Sequence, residues 1–516
     1  MPQYNPELRN YLLGKQLLLD ELPFPQEEIH QHFQTGYLMY RKGIEQTKKG
    51  NVCQRCGVND DYWFAQFPCA RCKQICTYCR QCLMMGRVSS CTSLVSWTGD
   101  PSEEENGRSP EWNTSLDENR QSLETNHFTD ENNLSCERTF SEKVNRIPLV
   151  KEEDPNPPSI LQWSGKLSQG QTVASNRVVE TIIAKKELLV WAVCGAGKTE
   201  VLFKGIERSL QNGDRVCIAT PRTDVVLELT PRLQAAFPQI DVASLYGGSD
   251  DRHKYAPLTI STTHQLLRFY HAFDTIIVDE VDAFPYSVDA TLQHAVKQAR
   301  KPESALIFLT ATPNEKWQRQ CRLGKREFVT IPARYHRHPL PVPKFVWCGN
   351  WQKHLTGKKP RLPENVFRWA KKRLDAGKQA LIFAPKIAAM EKILPLFQIL
   401  DPKIDSVHAE DPNRKEKVQK MRNETIPLLL TTTILERGVT FPNIDVAVIG
   451  SEDRIFTESA LVQISGRAGR SAQFPTGDVT FFHFGKTEAM VRAQKQIMTM
   501  NKEAMKRGLL DNESLS

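Results

Sequence analysis

From Leu188 onward, short apolar runs alternate with longer stretches whose apolar residues recur at helical spacing. Leu188–Val193, Val216–Ala219, Leu258–Ser261, Thr275–Val278 and Ala305–Leu309 predict strands covered on both faces, because a parallel sheet sheathed by helices needs no polar alternation. A second series, Ala380–Phe383, Asp405–Val407, Ile426–Leu430, Val446–Ile449 and Val479–Phe482, repeats the scheme. Two successive α/β units predict two similar lobes, at 158–338 and 356–516, joined by a connection at 339–355.

Upstream the pattern changes. Residues 1–50 mix short apolar runs such as Leu17–Leu19 with helix-like spacing and predict a small N-terminal α/β region. A cysteine-rich block at 51–99 follows. Residues 100–157 are rich in Ser, Asn, Glu and Asp with few large apolar groups, which predicts a disordered acidic linker.

Length and charge sharpen this outline. A chain of 516 residues exceeds what one hydrophobic core organises. The net charge of +8 understates the basic character of the rest, because 103–154 carries fourteen acids against six bases. A cationic folded part suits a polyanionic partner. There is no long apolar run and no basic-then-apolar N-terminus, so the expected location is the cytoplasm, at the inner face of the membrane only through protein partners. In a reducing compartment most of the thirteen cysteines, crowded between Cys53 and Cys91, read as metal ligands and not as disulfides.

Ala192-Val193-Cys194-Gly195-Ala196-Gly197-Lys198-Thr199 follows an apolar run and opens onto a helical stretch, the setting of a phosphate-binding loop. Small residues let backbone N–H groups close around phosphates, and the helix N-terminus adds a favourable field. Lys198 is expected to reach the β- and γ-phosphates of ATP and Thr199 to ligate Mg²⁺. Ala192 stands where the pattern usually has Gly. Asp279-Glu280-Val281-Asp282 follows the run Thr275–Val278, at the strand end where parallel sheets bind ligands. Asp279 is expected to hold Mg²⁺ through water, and Glu280 to polarise the water that attacks the γ-phosphate.

With these motifs in place, residues 165–485 resemble superfamily 2 helicases, which implies two tandem RecA-like lobes. Thr310-Ala311-Thr312-Pro313 looks like the motif that couples the acids to nucleic acid. Thr432–Gly438 resembles the second-lobe motif facing both ligands, which places Gly438 at the nucleotide. Gln463-Ile464-Ser465-Gly466-Arg467-Ala468-Gly469-Arg470 matches the arginine-finger helix, so Arg467 and Arg470 would stabilise charge on the transferred phosphoryl group when the lobes close. Gln171 resembles the glutamine that reads the adenine edge. Pro221-Arg222 and Thr262-Thr263-His264-Gln265 resemble backbone-binding motifs, implying sequence-independent grip on single-stranded DNA.

Within that superfamily, Cys53-Gln54-Arg55-Cys56, Tyr78–Val88, Asp279–Pro285 and Leu435–Pro442 resemble the ComFA family of competence ATPases. The resemblance implies a DNA-dependent ATPase that drives uptake of transforming single-stranded DNA. Its partners would be the membrane channel and a phosphoribosyltransferase-like competence protein, with self-association left open. The acidic 100–157 segment is longer than the family pattern.

Cys53, Cys56, Cys69, Cys72, Cys76, Cys79 and Cys82 are too dense for packing residues. Two Cys-x2-Cys knuckles supply the four thiolates of a closed Zn²⁺ site, favoured over an iron–sulfur cluster because the pairs look like ribbon knuckles. The resemblance implies Cys53, Cys56, Cys79 and Cys82 around one zinc, leaving Cys69, Cys72 and Cys76 for a second site or a variant pairing; spacing alone equally permits Cys53, Cys56, Cys69 and Cys72. Arg55, Arg71, Lys73 and Arg80 are expected to keep the module's surface cationic, and the linker to keep its core apart from the motor's. Two other readings stand beside the motor: a PriA-like restart helicase, whose cysteine block instead follows the first lobe, and a non-hydrolysing DNA-binding adaptor, opposed by the intact Lys198, Thr199, Asp279, Glu280, Arg467 and Arg470.

Overall fold

The computed structural model describes residues 4–99, 159–357 and 359–511; the expected linker at 100–157 lies outside them. The helix Pro6–Leu12 starts at Asn5, whose side chain accepts from the Glu7 and Leu8 N–H groups. Seven strands follow before the first lobe: β1 (Leu17–Leu18), β2 (Leu38–Lys42), β3 (Ile44–Thr47), β4 (Gly50–Cys53), β5 (Phe64–Pro68), β6 (Ile75–Cys79) and β7 (Ser93–Trp97). β7 lies between β1 and β2 in an antiparallel sheet, with Leu38 opposite Trp97 and Lys42 opposite Ser93. The two hairpins β3–β4 and β5–β6 carry the cysteines. The expected boundary at residue 50 therefore does not exist: the sheet cannot close until the chain has passed through the cysteine block.

The first lobe contains β8 (Glu187–Ala192), β9 (Val216–Thr220), β10 (Val242–Leu245), β11 (Leu258–Thr262), β12 (Phe273–Val278), β13 (Arg300–Thr310) and β14 (Phe328–Ile331). They form a parallel sheet in the order β10-β11-β9-β12-β13-β8-β14. The second lobe contains β15 (Lys344–Trp347), β16 (Gln379–Phe383), β17 (Asp405–Val407), β18 (Leu428–Thr431), β19 (Ile444–Ile449) and β20 (Val479–His483), parallel in the order β15-β20-β19-β16-β18-β17. All ten expected strands form. The three that the pattern missed, β10, β14 and β15, are four residues each and lie at sheet edges, where β14 buries two of its side chains and β15 none. The expected connection 339–355 is partly lobe 2 itself, since β15 extends that sheet and Trp351 is buried in that core.

Two devices join the parts. The C-terminal helix Glu488–Lys506 crosses the seam: Gln496 Nε2 donates to Ala311 O at 2.7 Å, Asn501 bonds both backbone groups of Leu340, and Leu509 packs at Gly170. The N-terminal unit docks on lobe 1 through Gln16 N–H to Arg268 O at 2.7 Å and Tyr270 N–H to Gly14 O at 3.0 Å. Gln298 reaches Gln54 O at 2.9 Å, and Gly57 is pressed against His294, with no room for a side chain. Cys53, Cys56, Cys79 and Cys82 share one apolar cluster with Leu266, Phe273, Leu292 and Ala295. Contrary to expectation, the module and the first lobe have a common core, because a small cysteine-rich unit buries its surplus apolar surface against its neighbour.

Candidate nucleotide site between the lobes and the cysteine module

β8 delivers the phosphate loop. Gly195 and Gly197 adopt φ of +83° and +65°, and the loop turns directly into the helix Lys198–Gln211. Left-handed conformations at both positions favour glycine, and the Ala196 N–H donates to Val193 O at 3.2 Å to close the turn. Gln171, expected at the adenine edge, is buried with its amide donating to Ala196 O at 2.9 Å and Gly197 O at 3.1 Å, while its Oε1 accepts from Ser168 N–H. It braces the loop from behind.

β12 ends at the acids. Glu280 sits at φ +54°, a left-handed turn unusual for a residue with a side chain, and its buried Oε2 has no hydrogen-bond partner. Burial, and Glu280 beside it, raise Asp279 to about 6, with Lys198 opposing. A buried carboxylate beside a second one is oxygen-donor chemistry that suits a hard divalent cation.

Asp282 has a different task. Its carboxylate accepts from Thr310 Oγ1 (2.7 Å) and Thr312 Oγ1 (2.5 Å) of lobe 1, and from Ser459 Oγ (2.8 Å) and Arg437 Nη2 (2.5 Å) of lobe 2. Burial works to raise it, but the Arg437 guanidinium holds it well below the usual carboxylate range. Arg437 is 3% exposed and also lies 3.6 Å from Glu280. Sequence reasoning included Arg437 only within a motif string; nothing in the string marks it as the residue that crosses the cleft.

The arginine-finger helix faces the loop. Cys194 Sγ donates to Gln463 Oε1 at 3.0 Å, and Gly466 lies so close to Cys194 that a Cβ would stand 2.5 Å from it. Arg467, however, is buried with its guanidinium on Glu436 O and Val439 O, and Arg470 bonds Gly466 O and Thr440 Oγ1. Both groups are engaged within lobe 2. Gly438, at φ +76°, touches the Arg222–Asp224 pair and not the phosphate loop. Arg334, which carried no sequence signal, is buried against Gly195 and bonds Gly466 O and Gly469 O, tying lobe 1 to the finger helix.

Of the residues expected to hold DNA, Pro221, Thr262 and Thr263 are buried, Arg222 is paired with Asp224 at 2.5 Å, and His264 and Gln265 reach the surface.

In the cysteine module the sulfurs of Cys53, Cys56, Cys79 and Cys82 all lie within 4.8 Å of one another, with Cys53–Cys82 at 3.7 Å and Cys56–Cys79 at 3.6 Å. A tetrahedral zinc with 2.3 Å bonds separates its thiolates by about 3.8 Å, so the cluster fits. The second set that spacing allowed is not assembled. Cys69 and Cys72 instead join Cys76 and Cys91, the last of which has no Cys-x2-Cys partner of its own. Arg55 is fully buried, not on the module's surface: it bonds Met85 O at 2.6 Å and pairs with Glu21 at 2.9 Å, tying the two knuckles to the N-terminal unit.

Comparison with known proteins agrees with this division. The competence protein ComFA N-terminal domain model matches residues 2–96, the type III restriction enzyme res subunit model 164–315, and the helicase conserved C-terminal domain model 360–472. The first of these spans both sides of the cysteine block, as the closed sheet does. In solved structures, RecG bound to a three-way DNA junction overlays with a TM-score of 0.47 at 15% identity, covering 69% of this chain and 48% of that one. Competence protein ComFA of Streptococcus pneumoniae (strain ATCC BAA-255 / R6) is 42% identical over 68% of this chain and 81% of its own. That of Bacillus subtilis (strain 168) is 46% identical over 98% of this chain and 97% of its own, and the chain belongs to the competence protein ComFA family.

Proposed function

We propose that this protein is an ATP-driven translocase on single-stranded DNA that draws transforming DNA into the cell during competence. The observation that supports it is the meeting of the acids Glu280 and Asp282 of lobe 1 with Arg437 of lobe 2, beside a phosphate loop that touches the finger helix through Cys194 and Gln463. In this reading Lys198 neutralises the β- and γ-phosphates. Thr199 and Asp279 hold Mg²⁺, which supplies charge to the phosphate oxygens. Glu280 takes a proton from the attacking water. Gln171 reads the adenine after releasing the loop carbonyls, and Arg467, Arg470 and the loop carrying Gly438 transmit closure. Pro221, Arg222, Thr262, Thr263, His264 and Gln265 follow the DNA backbone. Names of relatives support the competence setting; the uptake channel and a phosphoribosyltransferase-like protein are the proposed partners at the inner face of the membrane, with self-association allowed. Among the described residues no helix is long and apolar enough to cross a membrane.

Phosphate release with and without single-stranded DNA tests the coupling. Stimulation of at least tenfold is expected, falling steeply as salt rises and nearly independent of base sequence. Equal turnover with and without DNA would overturn it.

The cysteines are proposed to hold two zinc ions, one by Cys53, Cys56, Cys79 and Cys82 and a second by Cys69, Cys72, Cys76 and Cys91. Elemental analysis should find two equivalents in the parent chain and one in Cys72→Ser. Because the first site is built into the core of lobe 1, Cys79→Ser should lower the melting temperature of that lobe as well as the zinc content. Zinc loss that leaves lobe 1 melting unchanged would separate the two.

A further inference from the structure

Where the N-terminal unit meets lobe 1, far along the chain from the phosphate loop, a cavity of about 160 Å³ opens between Tyr11, Lys15 and Glu21 on one side and Arg252, His253 and Arg268 on the other. Its walls are fixed. Lys15 forms a bridge to Phe269, Gln16 N–H binds Arg268 O, and Gly14 approaches Ala272 so closely that a Cβ would stand 2.7 Å from it.

The cavity is out of charge balance. Lys15 is 2% exposed, yet its ammonium has no hydrogen-bond partner and only the Tyr11 ring at 5.5 Å. Arg268 Nε is likewise buried and unbonded. Arg252 stands at the mouth, and His253 stacks on Tyr11 with ring centroids 4.2 Å apart. Against Lys15, Arg252 and Arg268 the lining offers one carboxylate, Glu21, and that is already shared between Arg55 at 2.9 Å and Arg268 at 3.6 Å. Burial, then Arg215 and Arg268, push Lys15 down to about 7. A buried amine poised in this way takes its full charge, with three donors to offer, when an anion enters to satisfy it. The space exceeds what a single water fills.

We propose that this cavity is a phosphate-binding site, separate from the nucleotide site, in which Lys15, Arg252 and Arg268 grip a phosphate group and the Tyr11–His253 face packs against what that phosphate is attached to. Gln265 also lines it. The phosphate can belong to a nucleic acid strand or to a small phosphorylated molecule, and the chemistry of the grip is common to both. The inference does not depend on the motor reading.

The test uses the full chain carrying Lys198→Ala, so that the phosphate loop does not contribute. Inorganic phosphate is titrated against chloride at matched ionic strength while thermal unfolding is followed. Phosphate should raise the melting temperature saturably. Lys15→Met, which keeps the buried stem without the charge, should abolish that rise, and Arg252→Ser, an exposed change that leaves packing alone, should weaken the apparent affinity at least threefold. No rise beyond that given by chloride, or an equal rise in Lys15→Met and Arg252→Ser, overturns the proposal. Competition by short oligonucleotides then identifies the source. Displacement of phosphate only by a 5′-phosphorylated strand points to a strand end, equal displacement by a 5′-hydroxyl strand to internal diesters, and displacement by neither to a small phosphorylated molecule.

Discussion

Glu280→Gln should bind ATP as the parent chain does and hydrolyse it about 10²–10⁴-fold more slowly, the usual loss when a general base is removed. The carboxylate is placed by the backbone: β12 ends at Val278, and the turn through φ +54° at Glu280 carries its side chain into the cleft. There Oε2 is buried without a hydrogen-bond donor and 3.6 Å from Arg437. Glutamine has the same shape, so the loop, the Glu280 N–H bond to Asp279 Oδ1 at 2.8 Å and the side chains of Thr199 and Asp279 are left in place. Only proton acceptance is lost. Lys198→Ala should behave in the opposite sense and lose nucleotide binding itself, because no other cation projects from the phosphate loop. Nucleotide affinity measured by fluorescence alongside phosphate release distinguishes the two. Parent-level turnover in a folded Glu280→Gln chain would remove Glu280 from the base role.

Much of the motor was legible because its strands are buried on both faces and therefore appear as short runs of apolar and small residues without charge; β8, β9, β11, β12 and β13 were found that way, and so were the loop and the acids at their ends. What escaped is what depends on distant parts meeting. β7 closes the N-terminal sheet 51 residues after β2 ends, across the cysteine block, and no local period announces such a pairing. Cys91 joins Cys69 from 22 positions away without any Cys-x2-Cys spacing of its own. Arg334 and Arg437 resemble any other arginine in the string; only the folded chain shows one against Gly195 and the other on Asp282. The roles suggested for Gln171 and Gly438 by motif position correspond, in this arrangement, to bracing the phosphate loop and to packing against Arg222. Motif position indicates which face of the cleft a residue occupies but not which atom it touches, because side-chain partners follow from how far the lobes have closed.

Arg437→Met should open the cleft. Asp282 and Arg437 are both nearly fully buried, at 5% and 3% exposure, and the pair, with Glu280 3.6 Å from the same guanidinium, is a charged link between the lobes at the acid cluster. Breaking a buried pair by removing one partner costs about 3–5 kcal/mol, because the other charge is left uncompensated. On a closure equilibrium that is a shift of about 10²–10⁴-fold toward open lobes, readable as energy transfer between dyes placed on lobe 1 and lobe 2. The pH dependence identifies the cause. With Arg437 present, Asp282 is held low, so its contribution is present above the ordinary aspartate range and is lost only as pH falls through the depressed value. Without Arg437, burial dominates and the folded value moves above the unfolded one. Asp282 is then tolerated neutral at low pH and opposes closure as pH rises. The defect of Arg437→Met should accordingly shrink below about pH 5 and be largest at neutrality, while Asp282→Asn, which strands the Arg437 guanidinium but removes the group that titrates, should show no such trend across the same range. Combining the two changes should recover part of the closure lost in Arg437→Met alone, a coupling that neither single substitution reveals. A defect in Arg437→Met that is independent of pH, or a double variant whose losses simply add, would mean that the lobes are held by contacts other than this pair. The neutral Gln463–Cys194 and Gln496–Ala311 bonds would then be the next candidates, since both cross the same seam without a charge.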